Sequence, residues 1–288
     1  MLRGLYTAAA GMIAEQRRHD TVTNNVANLN TPGYKGTSAV NRAFPEMLLS
    51  AMGGKNPPSG AIGKINTGVF AEENLMNLSQ GDMVETSRSQ DLALVSDILV
   101  AGQTFDASGK YVAANGQVTY QPQAFFTIRN GDGELRYTRD GSFRTTQDGT
   151  LVTADGMQVL GVDGQPIRVT GTWDGIAVTA NGRLADKTTG DPLPGDPQLL
   201  LTEVVNPNML IREGDGKFRY AGDPGGTRPV QDGERVEIRQ GFLERSNVDA
   251  SQSMVDMMSA LRAYEANQKV VQFYDRSLEK AVNEVGKV

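Results

Sequence analysis

The chain has 288 residues, 39% hydrophobic and 22% charged, with a net charge of −6. It contains no cysteine and one histidine, which excludes a disulfide framework, a Cys-based zinc site, a cysteine nucleophile and any multi-histidine metal centre. The acidic balance argues against a nucleic-acid-binding protein, and no apolar run approaches the roughly 18 residues of a membrane span.

Residues 1–33 predict a helix and its end. Leu5, Met12, His19 and Val26 lie seven apart, and Leu2, Ala9 and Ile13 broaden the stripe. One apolar stripe at that period gives a helix with one buried seam. The helix should stop near Asn30-Thr31-Pro32-Gly33, because a residue before proline avoids helical angles. Arg3 followed by the small, apolar Gly4–Ala14 has the outline of an export leader. The stretch is Ala-rich rather than Leu-rich, however, and the helical pattern runs through any cleavage site, so no cleaved signal is expected. Residues 34–80 then read as an extended linker segment. Within it, Gly53-Gly54-Lys55-Asn56-Pro57-Pro58-Ser59-Gly60 can form no regular element.

Residues 81–245 have a different texture. Asp-Gly recurs at Asp132, Asp140, Asp148, Asp155 and Asp163, with short β-rich runs such as Leu151-Val152-Thr153 between. Asp-Gly supplies the positive φ angles of tight hairpin turns, so this region reads as an antiparallel, hairpin-rich β domain. A calcium loop would need alternate oxygen ligands closed by a glutamate, and no stretch here has them.

The last segment, 246–288, is helical again. Met257, Tyr264, Val271, Leu278 and Val285 form one seven-residue track; Met254, Leu261 and Val282 form its partner, interrupted by Gln268 and Asp275. That is an a/d seam over more than four heptads. Ser246 and Asp249 have the spacing of a capping box at its start.

Catalytic constellations are missing. His19 falls on the helical seam, and neither G-x-x-x-x-G-K-[ST] nor G-x-S-x-G occurs. The carboxylates are too many to single out a glycosidase pair, and Trp173 is the only tryptophan. No enzyme, cofactor or metal site is expected.

Two runs carry a resemblance. Asn24-Asn25-Val26-Ala27-Asn28-Leu29-Asn30-Thr31-Pro32-Gly33-Tyr34-Lys35 resembles the N-terminal signature of the flagellar axial proteins of the rod, hook and hook-associated classes. Ser246-Asn247-Val248-Asp249 and Arg262-Ala263-Tyr264-Glu265-Ala266-Asn267-Gln268-Lys269-Val270 resemble their C-terminal signature. Gln80-Gly81, Asp91-Leu92-Ala93-Leu94 and Tyr137-Thr138-Arg139-Asp140-Gly141-Ser142-Phe143 resemble β-domain motifs of the basal-body rod proteins of the FlgF/FlgG type. One departure stands out. Residues Ser96 to Ala124 separate Val95 from Phe125-Phe126, which looks like an insertion at about 96–124.

The resemblance implies a structural subunit of the flagellar rod that transmits torque to the hook. It implies that 1–33 and 246–288 pair as a coiled-coil-like inner domain, with 81–245 outside. The implied partners are further copies of the chain in a helical polymer, other rod subunits, the hook protein and the flagellar type III export apparatus. Nucleic acid and direct membrane insertion are not implied. The implied location is the basal body, outside the cytoplasmic membrane within the cell envelope. Assembly-interface residues would be Leu5, Met12, Ile13 and Val26 on the first helix and Met254, Met257, Leu261, Tyr264, Val271 and Leu278 on the last. Asn24, Asn25 and Asn28 would either bond to neighbouring subunits or simply close the first helix. A hook or hook-associated subunit, and a secreted carbohydrate-binding β protein, are the alternatives. A core lacking 1–52 and 246–288 is expected to fold alone.

Overall fold

The computed structural model describes residues 2–50, 61–106, 109–169, 171–231 and 233–285. The Gly53–Gly60 stretch lies outside them. The chain is mainly β with two long helices, and it divides into two compact units.

The first unit comprises Met1–Ala27, Thr37–Leu75 and Asp249–Val288. Helix α1 spans Leu2–Ala27 and ends, as its sequence predicts, just before the Asn30–Gly33 turn. Helix α2 spans Ala250–Lys280, with a π-helical turn at Ala281–Val285. At a rise of about 1.5 Å per residue α2 is roughly 46 Å long. Its N-cap is Asp249, whose carboxylate accepts from the Gln252 amide at 2.9 Å. The capping-box expectation placed Asp249 three residues inside the helix; it is the cap itself.

The segment read as an extended linker is paired. Asn41–Ala43 runs antiparallel to Val69–Ala71, and Met47–Ser50 to Ala61–Ile65. Beyond those pairs, Thr7 Oγ1 donates to Thr67 O at 3.0 Å and Asn74 Nδ2 to Thr21 Oγ1 at 3.0 Å, fastening the segment to α1.

The second unit comprises Asn28–Gly36 and Met76–Val248. Its centre is a nine-stranded sheet in which every pairing is antiparallel. The strand Gln123–Arg129 lies at the middle, with Leu135–Thr138 on one side and Gln158–Val159 and Leu201–Val204 on the other. Leu210–Gly214 closes one end of the sheet. A separate pair, Leu92–Ser96 with Val236–Gln240, covers the same core.

The central strand is buried on both faces: Ala124, Phe126 and Ile128 make one face apolar, and Phe125 lies between the buried Gln123 and Thr127 on the other. Ala124, Phe126 and Ile128 join Leu92, Leu94, Phe143 and Trp173 in one cluster, and Phe125 joins Tyr137 and Phe218 in another. Each of these large side chains contributes about 2–3 kcal/mol by leaving water. On the face of Phe125 the buried Thr127 and Thr202 hydroxyls bond to each other at 2.6 Å. A two-residue satisfaction of this kind keeps a buried polar pair from being an unmet cost.

Most Asp-Gly pairs do sit at turns, with the glycine at positive φ. Asp140-Gly141 does not. Gly141 is there because a Cβ would lie 1.7 Å from the Leu92 carbonyl oxygen, where another strand crosses. The stretch read as an insertion carries a two-stranded ribbon, Lys110–Val112 with Val118–Tyr120, that forms its own small sheet.

Candidate functional site

The candidate site is the pair of helices and the junctions that hold the chain's two ends. Helices α1 and α2 lie side by side in opposite directions. A Cβ on Gly4 would lie 2.2 Å from the Tyr274 hydroxyl, and one on Gly11 would lie 2.9 Å from the Asn267 amide. One step further along, Arg18 Nη2 donates to Asp256 Oδ1 at 3.2 Å. The seam of α1 toward α2 is therefore built from small residues seven apart, one position away from the Leu5, Met12, His19, Val26 stripe.

Ala8, Ala14, Thr21, Val22 and Asn25 are the buried residues of α1. Leu5, Met12 and Val26 are half-buried at its flank, and Ile13 is exposed together with Tyr6. On α2, Met257, Tyr264, Val271 and Leu278 form the half-buried track. The companion track faces outward: Met254 is 56% and Leu261 47% exposed. Met258, also exposed, lies between them at helical i, i+4, i+7 spacing.

The three asparagines have distinct roles. Asn25 reads the backbone of Thr37 on both sides, donating to its carbonyl at 2.7 Å and accepting from its amide at 3.0 Å. Asn28 Oδ1 accepts from the Thr31 hydroxyl at 3.2 Å within the turn. Asn24 is exposed on α1.

The second unit contains a feature that sequence reasoning missed. Lys35, Arg139 and Glu244 are all fully buried, and they meet. Lys35 Nζ donates to Glu244 Oε1 at 2.6 Å and to Ser79 O at 2.8 Å. Gly81 N donates to the same carboxylate oxygen at 2.8 Å, and Arg139 Nη1 lies 3.6 Å from the other. Arg139 also donates to Leu94 O, Ser96 Oγ and Gln123 Oε1 at 2.8, 2.8 and 2.6 Å. Burial lowers the Lys35 ammonium to a pKa of about 8; Arg139 pushes the same way and Glu244 opposes. Burial lowers Arg139 as well, again opposed by Glu244.

The backbone is knitted around this cluster. Gly33 N donates to Glu244 O at 2.8 Å. Gly33 has φ +65°, and a Cβ there would lie 2.5 Å from the backbone of Arg139 and Asp140. Asn247 accepts from Gly36 N at 2.7 Å and donates to Asn77 O at 2.9 Å. Arg212 donates to Tyr34 Oη at 2.8 Å and to the Lys35 carbonyl, and stacks over the Tyr34 ring at 4.4 Å. The motif residues Lys35, Gly81 and Arg139 thus converge on one carboxylate, with Gly33 bonded to the backbone of the same residue and Leu94 to Arg139. Lys35 and Arg139 stood in recognisable motifs; Glu244 carried no local signal.

Among the described residues no helix is long and apolar enough to cross a membrane, and no three His, Asp or Glu residues are placed to hold a metal ion. Comparison with known proteins assigns the ends and the sheet together. Residues 5–35 match the family described as "Flagella basal body rod protein", 121–185 the "Flagellar hook protein FlgE/F/G D1 domain", and 239–284 the "Flagellar basal body rod FlgEFG protein C-terminal". The chain is 35% identical to the flagellar hook-basal body complex protein FlhO of Bacillus subtilis over 292 residues, covering 100% of both chains. It is 30% identical to the flagellar basal-body rod protein FlgG of Agrobacterium fabrum over 94% of each chain. To FlgG of Bacillus subtilis it is 28% identical over 98% of this chain and 99% of the relative. End-to-end likeness to such relatives and family matches at both ends and in the sheet agree: the chain belongs to the flagellar basal-body rod proteins of the FlgF/FlgG type, a family of structural subunits and not of enzymes.

Proposed function

We propose that copies of this rod subunit stack helically through the outward faces of α1 and α2, completing a coiled-coil-like inner layer, while the β region forms the outer layer. The polymer carries torque to the hook. Other rod subunits and the hook protein are its axial neighbours, and the chain reaches the basal body through the flagellar export apparatus.

The observation that supports this reading is the exposed stripe Met254, Met258, Leu261 on α2, with Tyr6 and Ile13 exposed on α1. A heptad track that its own chain leaves uncovered calls for a helix from another copy. Such a contact joins different surfaces of the two copies, so it propagates into a filament instead of closing. The half-buried Leu5, Met12 and Val26, and Met257, Tyr264, Val271 and Leu278, flank these stripes and would be covered with them.

The test is Leu261→Glu. Because Leu261 is largely exposed within the chain, the substitution leaves the fold intact. In the polymer it buries an unpaired carboxylate, at several kcal/mol. The variant should be made and exported at normal levels yet give non-motile cells. Normal swimming would refute the stripe as the assembly surface.

A further inference from the structure

We propose that Asn130 is a site of spontaneous deamidation, at which the Gly131 amide nitrogen closes on the Asn130 side chain and water then leaves an aspartate or isoaspartate in the loop between Gln123–Arg129 and Leu135–Thr138. The inference concerns the covalent state of the β region and stands apart from the helical stacking above.

Three Asn-Gly pairs occur in the chain, at Asn115, Asn130 and Asn181. A glycine leaves its own amide nitrogen unhindered, because no Cβ shields it, so the sequence nominates all three alike. The fold separates them. Gly116 N donates to Ala113 O at 2.8 Å and Gly182 N to Thr179 O at 2.9 Å. Both glycines close turns at positive φ, +81° and +80°. Their amide hydrogens are thus committed to a carbonyl across the turn, and Gly182 is buried as well.

Gly131 is arranged differently. Its amide donates to Oδ1 of Asn130 at 2.6 Å. The orbital of that N–H bond is the one that becomes the nucleophilic lone pair when the proton is lost, and it is aimed at the side-chain carboxamide. A small turn about the side-chain bond brings Cγ to where Oδ1 stands, which is a near-attack arrangement. The other end of the carboxamide is held too. Nδ2, the nitrogen that must leave, donates to Asp132 Oδ2 at 3.3 Å. Gly131 is exposed and Asn130 half-buried, so water reaches the pair.

The step balances with water alone. Hydroxide takes the Gly131 amide proton, the nitrogen bonds to Asn130 Cγ, and the Cγ–Nδ2 bond breaks. Nδ2 departs as ammonia with a proton from water, leaving a five-membered succinimide. Water then adds to one of the two ring carbonyls. Breaking the bond from nitrogen to Cγ gives aspartate, and breaking the bond to the main-chain carbonyl carbon gives isoaspartate; nothing is oxidised or reduced. Either product sets a second carboxylate beside Asp132. Isoaspartate also lengthens the main chain at the residue that closes the loop, through Asn130 N to Glu134 O at 3.0 Å and Gly133 N to Asn130 O at 2.9 Å.

The test incubates the full-length chain at mildly alkaline pH, one sample native and one in denaturant. Peptides holding each Asn-Gly pair are then followed by mass spectrometry for the exchange of amide for acid. In the native sample Asn130 should convert about tenfold faster than Asn115 or Asn181, and in denaturant the three rates should draw together. Gly131→Ala should slow conversion at Asn130 about tenfold without moving the unfolding midpoint, since the added methyl group meets nothing within 4 Å. Equal native rates at the three pairs, or faster conversion at Asn115 or Asn181, refute the selection of Asn130. A lead at Asn130 that persists undiminished in denaturant assigns it to neighbouring sequence and overturns the role of the fold.

Discussion

Replacing Glu244 by glutamine keeps the shape of the buried cluster and removes its negative charge. Lys35 and Arg139 would then face each other in the interior without an anion; both are fully buried and Glu244 opposes the lowering of both pKa values. Removing one partner of a buried ion pair costs about 3–5 kcal/mol, and two stranded cations place this case near the upper end. The Gly81 amide keeps an acceptor in the glutamine oxygen, so the loss is electrostatic rather than a broken backbone bond. Lys35→Met should cost less, about 2 kcal/mol, because Arg139 remains 3.6 Å from the carboxylate. A loss of about 4 kcal/mol is a large part of the roughly 5–15 kcal/mol that holds a domain folded. Denaturant titration followed by fluorescence reads it cleanly, since Trp173 is the single tryptophan and sits in the main core. If Glu244→Gln falls within about 1 kcal/mol of the wild type, or Lys35→Met proves the more damaging, the account of the cluster is wrong.

Three further outcomes are expected. Lys35 has a folded pKa of about 8 against 10.5 when free, so between those values the unfolded chain binds the extra proton and stability rises with pH. The gain, about 3 kcal/mol, is complete above the free value and is lost as pH falls through the folded one; subtracting the same titration of Lys35→Met isolates it. A fragment spanning 28–248 should unfold cooperatively and sediment as a monomer, whereas removing 1–52 and 246–288 takes away Gly33, Lys35 and Asn247 and should lower its midpoint sharply. Gly141→Ala should cost about 3 kcal/mol or more in the same denaturant assay, because the added methyl group meets the Leu92 backbone and not a movable side chain.

The ends and the middle of this chain are legible for different reasons. Heptad spacing locates α1 and α2, and Asp-Gly locates most turns, because both signals are local. The face that α1 turns to α2 is not legible from apolar pattern, since Gly4 and Gly11 contribute closeness and carry no hydrophobicity. The large side chains Ile13, Met254 and Leu261 that do carry the pattern are left outward. Gly141 looks like the other Asp-Gly glycines in sequence, yet a strand crossing and not a turn dictates it. Glu244 is silent because its partners are distant: Lys35 lies 209 residues away. No window of sequence contains both.

That separation has a kinetic consequence. A unit whose closing contact joins position 35 to position 244 must bring together nearly the whole chain before the buried charges find one another. The entropy of closing so long a loop comes early and its reward late, so folding of the β unit should be slow, in the millisecond-to-second range of non-local topologies. Synthesised amino end first, the chain holds Lys35 in water until the strand Phe242–Glu244 has been made. The β unit thereby commits to its fold only when nearly all of its length is present.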